Sequence, residues 1–113
     1  MTPFDVVLLP FPFTHLSTTR RRPCVILSSF QPRGLAQHCV VAMVTSNLSG
    51  LTFPGDTLLS KWSEAGLPKP SLVRLAKVVT VDRSLIRKKI GTVHDADRKV
   101  IRRQFRQVFS RLV

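Results

Sequence analysis

The chain has 113 residues, 43% of them hydrophobic and 21% charged, which excludes a disordered segment and fits one domain spanning residues 1–113 with one modest core. Its 18 Lys and Arg stand against 6 Asp and Glu, a formal net charge of +12. A domain this small and this basic repels itself unless a polyanion or an acidic protein relieves it, so nucleic acid leads the partner classes. No apolar run reaches the about 18 residues of a membrane span, and the start lacks the basic n-region of a signal peptide. No membrane partner is expected. Cys24 and Cys39 lie in apolar runs without metal-ligand spacing, and the three histidines are scattered. The expectation is two buried thiols in a reducing cytoplasm, with no metal site and no cofactor.

In chain order, Asp5 to Leu9 reads as a first buried strand. Pro10 and Pro12 stop it, and the connection to Arg22 is long enough to be functional. Arg20-Arg21-Arg22 then precede Pro23 at the mouth of a β-branched run, Cys24 to Ser29, read as the second strand. Pro23 is expected at its first position, where a missing donor is tolerated. A guanidinium held at that rim is a ready phosphate ligand; a solvated charge cluster is the plain alternative. A turn at Gln31 to Gly34 and a third strand at Cys39 to Thr45 follow. A short strand is expected at Asp56 to Leu59, then one helical turn at Lys61 to Gly66, stopped by the glycine. Ser71 to Val81 holds one longer or two short strands, with Leu72, Arg74 and Ala76 on one side and Val73, Leu75 and Lys77 on the other. Ser84 is the expected cap of a short turn.

The C-terminal segment reads as a helix. Asp95 and Asp97 suit its dipole, and Ile101, Phe105, Val108 and Leu112 form an apolar stripe. Ten basic residues lie between Arg83 and Arg111. The fold class is therefore mainly β with a C-terminal helix, a small curled sheet or barrel.

Five segments in register carry a resemblance: Asp5 to Thr14, Arg22 to Ser28, Val41 to Asn47, Ala65 to Ser71, and Thr80 to Asp82. Together they resemble the PemK/MazF toxins of type II toxin–antitoxin systems over nearly the whole chain. The resemblance implies an SH3-like barrel that forms homodimers. It implies a metal-independent endoribonuclease that cuts single-stranded RNA, and an acidic antitoxin that blocks the RNA groove. Carried onto this chain, it makes Arg22 the main catalytic residue and Thr45 the ligand of the scissile phosphate. Arg74 would support the reaction. The branch of the family with that arginine has an aspartate two residues later, where Ala76 stands here. His15 is then the candidate base in its place. Many relatives have glycine before the first aspartate, where this chain has Phe4. Thr19, Arg20, Arg21, Ser46, Asn47 and Lys77 are the candidate RNA contacts. Two alternatives stay open: a non-catalytic toxin of the same fold acting on a protein such as DNA gyrase, and an RNA-binding barrel whose chemistry has decayed.

Overall fold

A computed structural model describes residues 1–10 and 20–112; Phe11, Phe13, His15 and Thr19 lie outside the described residues. The elements are β1 (Asp5–Pro10), β2 (Arg21–Phe30), β3 (His38–Thr45), β4 (Asp56–Leu58), β5 (Leu72–Asp82), a 3-10 turn at Arg83–Leu85, β6 (Lys88–Thr92) and α1 (Asp95–Val108). The six strands form one sheet in the order β4-β5-β3-β2-β1-β6, every pair antiparallel. Register shifts at Val6/Val7, Ile26/Ser28 and Ala42/Met43 curl the sheet into a barrel-like form without closing its ladder.

Consecutive strand residues fall into two apolar clusters, as the pleat requires. Val6, Val25, Ala42 and Val73 pack with Ile101 of α1, while Val7, Cys24, Ile26 and Val41 pack with Val81 and Ile86. Both cysteines are free and buried, and burial pushes the Cys24 thiol up to about 12.

The segment after β4 bridges the two edges of the sheet. Ser60 N, Ser60 Oγ and Lys61 N all donate to the Asp97 carboxylate at 2.7–2.9 Å, tying it to α1. It then ends in a glycine stop: Gly66 N donates to Ser63 O and Leu67 N to Trp62 O, the paired bonds of a Schellman motif. Gly66 has φ +85°, and a Cβ there would strike Ile90 O; a Cβ at Gly91 would strike Ala65 O. Only two glycines let this backbone lie against β6 so closely.

Four expectations are corrected. Pro23 is the third residue of β2, not its first. At that level β2 pairs with β1 through Leu8 while pairing with β3 begins at Cys24, so on the β3 side Pro23 has no ladder bond to miss. Asp82, not Ser84, caps the 3-10 turn, its carboxylate accepting from Ser84 N at 2.8 Å. In β5, Arg74 pairs with Met43 while Val78 pairs with Ala42, so Leu75 to Lys77 have no partner in β3; Leu75 stays in the core and Lys77 is exposed. The apolar stripe of α1 is half covered: Ile101 is buried, Val108 packs on the core, Phe105 is 39% exposed, and Leu112 lies beyond the helix at 84%.

Candidate nucleic-acid interface

Antiparallel pairing brings Cys24 opposite Met43, so Arg22, two residues back along β2, and Thr45, two residues on along β3, come to the same end of the sheet. Met43 in turn faces Arg74 across β3 and β5. Two adjoining grooves open there, of about 610 and 380 Å³, and Arg22, Val44, Thr45 and Asn47 belong to both. Arg20, Arg21 and Lys69 line the larger; Arg74 and Lys77 line the smaller. Among the described residues no carboxylate lines either groove. The sequence-derived candidates Arg20, Arg21, Arg22, Thr45, Ser46, Asn47, Arg74 and Lys77 are thus gathered at one end of the molecule, while His15 and Thr19 fall outside the described residues.

The local chemistry differs from residue to residue. The Arg22 side chain is partly exposed, yet its Nε is buried and has no hydrogen-bond partner among the described residues. A buried donor left open costs free energy, and among the described residues Arg74 Nε and Asp56 Oδ1 share that state. Thr45 Oγ1 accepts from Asn47 N at 3.1 Å, which leaves its O–H to donate outward. Arg74 is more occupied. Its Nη2 donates to Leu51 O at 2.6 Å and lies 3.8 Å from Asp56, and its guanidinium sits 4.5 Å from the centre of the Phe53 ring. Asp56 lies directly opposite Arg74 on β4. Asp56 is thus the carboxylate nearest Arg74, reached across the β4–β5 pairing.

Lys69 and Phe53 are groove residues that sequence reasoning passed over. Lys69 sits between Pro68 and Pro70, a spacing that signals a rigid connector and says nothing of where it points. Phe53 carries both Arg74 and Lys77 over its ring, the latter at 4.9 Å, but it lies 21 residues from Arg74 in a segment with no periodicity. The described residues hold no cluster of three His, Cys, Asp or Glu suited to a metal ion, and no helix long and apolar enough to cross a membrane.

The sequence profile of the PemK-like, MazF-like toxins of type II toxin–antitoxin systems matches residues 2–109. No curated protein matches the chain. An endoribonuclease in complex with its cognate antitoxin, from Mycobacterial species, superposes with a TM-score of 0.72 at 16% identity, covering 97% of this chain and 95% of that one. The Mycobacterium tuberculosis toxin MazF-mt6 gives 0.70 at 18% identity, with 94% and 96% covered. MazE-MazF from Deinococcus radiodurans gives 0.69 at 17%, with 96% and 94% covered. At such identities the likeness is one of fold.

Proposed function

The chain belongs to the PemK-like, MazF-like toxins of type II toxin–antitoxin systems, and from that membership we propose that it is a metal-independent endoribonuclease acting on single-stranded RNA. The observation that carries this reading is the buried, unpartnered Nε of Arg22 beside Thr45, in a groove with cations and no carboxylate on its described walls.

RNA brings its own nucleophile. The 2′ oxygen bonds to phosphorus, the bond from phosphorus to the 5′ oxygen breaks, and the products are a 2′,3′-cyclic phosphate and a 5′-hydroxyl. The 2′ proton leaves to a base, for which His15 is the candidate, and the same base returns a proton to the 5′ oxygen. Arg22 is permanently cationic, so its task is to stabilise the charge that builds on the phosphorane through fixed donors. Thr45 donates its free O–H to a phosphate oxygen. Arg74 holds the wall formed by Leu51, Phe53 and Asp56 and adds charge to it. Arg20, Arg21, Lys69 and Lys77 hold the flanking phosphates, with Ser46 and Asn47 at the groove's rim.

The working unit is a homodimer, and the natural inhibitor is an antitoxin with an acidic segment that takes the same groove. A relative of this fold is known in complex with its cognate antitoxin, which supports that partner class. The reading is tested by Arg22→Ala. A folded variant should lose about 10²–10³-fold in RNA cleavage, the range for one charge-stabilising donor. Near-wild-type cleavage removes Arg22 from the mechanism.

A further inference from the structure

A second cleft, of about 260 Å³, lies between α1 and β2 and shares no residue with the two grooves. Its walls are apolar, formed chiefly by Phe4, Leu27, Ile101 and Phe105, and Arg102 and Arg106 stand at its rim. At that volume it falls just below the roughly 300 Å³ at which sites for drug-sized ligands begin, so it suits one flat group. Phe105 is 39% exposed there.

The helix beside it is built for an anion. Lys99, Arg102, Arg103 and Arg106 are exposed and spaced i, i+3, i+4 and i+7, which puts them on one flank of α1. None has a carboxylate within ion-pair distance among the described residues. Like charges at i, i+4 destabilise a helix, and the repulsion is relieved when the flank meets a polyanion.

We infer that this face is a second RNA contact, with one base of a single strand seated in the cleft against Phe105 and its phosphates on Arg102 and Arg106, the chain continuing over Lys99 and Arg103. Bases stack on aromatic faces while cations follow the backbone, the usual division of labour in single-strand binding. A second copy is disfavoured at this face, because a symmetric contact here would set Lys99, Arg102, Arg103 and Arg106 against their own counterparts. An acidic peptide matches the charge of the flank, but its carboxylates bring no flat ring to the apolar cleft. The inference rests on the RNA reading above only in its choice of nucleic acid.

The test uses the full chain and 2′-O-methylated RNA, which has no attacking hydroxyl. One oligomer has roughly 20 nucleotides, longer than a single small-barrel site covers, and one has about 5. The triple variant Lys99→Gln, Arg103→Gln, Arg106→Gln changes only exposed side chains. It should lower the slope of log affinity against log salt for the long oligomer by about 2, at about 0.7 per lost single-strand phosphate contact. It should leave binding of the short oligomer and Arg22-dependent cleavage unchanged. Phe105→Ala should weaken the long oligomer by roughly 5- to 150-fold, the range for one lost base stack. An unchanged salt slope in the triple variant overturns the inference. Loss of polyglutamate binding with RNA binding intact also overturns it, in favour of an acidic protein. Absent cleavage with the slope change present would sink the groove reading and leave this one standing.

Discussion

Phe4 occupies a backbone conformation that L side chains rarely adopt, with φ +72°. The family pattern places glycine there. Strain of this kind costs on the order of 1–3 kcal/mol. The ring offsets it: Phe4 packs on the core cluster, and the guanidinium groups of Arg98 and Arg102 each sit 5.0 Å from its centre, contacts of about 0.5–1 kcal/mol apiece. The backbone is pinned as well, since Phe4 N donates to Ile26 O and Phe4 O accepts from Val93 N. Phe4→Ala keeps the strain and loses the ring, so it should cost about 3 kcal/mol. Phe4→Gly loses the same ring but relieves the backbone. It should be the more stable of the two by about 1 kcal/mol in urea unfolding, an inversion of the usual order of Ala over Gly. The usual order would mean that Phe4 is unstrained. At this scale Arg22 stood out in the sequence through Pro23 beside it, whereas Thr45 was singled out only through the resemblance to the toxin family. Phe53 and Asp56 stood out in neither way, because their importance comes from Arg74, which meets them only across the β4–β5 pairing.

Between elements, Asp97 does more than suit a dipole. Burial pushes its carboxyl up, but the hydrogen bonds from Lys61 N, Ser60 Oγ and Ser60 N outweigh it, and the net shift is downward from 3.8. A depressed folded-state value means a stabilisation that is complete above the unfolded value and lost as pH falls through the folded one. Asp5 shifts the same way, burial being outweighed by the bond from Thr2 N and by Lys89. Acid unfolding should therefore begin below about pH 4. In Asp97→Asn that acid transition should flatten, and stability at neutral pH should fall by about 2–4 kcal/mol, the cost of breaking a buried charge-assisted network. A variant whose urea midpoint matched the parent at pH 7 would show that the tie between α1 and the segment after β4 carries no stability. The tie joins residues 36 and 37 positions apart, so no local spacing announces it. β1, β2, β3 and α1 were legible from apolar runs and helical periodicity. β6 was not: Lys88-Lys89-Ile90-Gly91-Thr92 has one large apolar residue, and its lysines are what an edge strand carries to resist wrong pairing.

For the whole molecule, charge decides the partners. The 6 Asp and Glu can offset no more than 6 of the 18 Lys and Arg, so whatever the internal pairing the whole +12 is left for something outside the chain. RNA and an acidic antitoxin segment should compete for the groove, and both should bind more weakly as salt rises. A ternary complex with unchanged RNA affinity would contradict a shared groove. The barrel-like class was readable from short strands followed by one helix, but the strand order was not, since it depends on long-range pairing and on the close approach of Gly66 to β6. The central claim is that the groove aligns a substrate that attacks itself. It is tested by an RNA carrying a single deoxyribose just 5′ to the cut, compared with the all-ribose strand in the presence of chelator. Both strands should bind about equally, because phosphate contacts dominate affinity. The all-ribose strand should be cut to a 2′,3′-cyclic phosphate, and the deoxy strand should stay intact at that position. Cleavage of the deoxy strand at the same site would mean that water or a side chain is the nucleophile, and would contradict the mechanism.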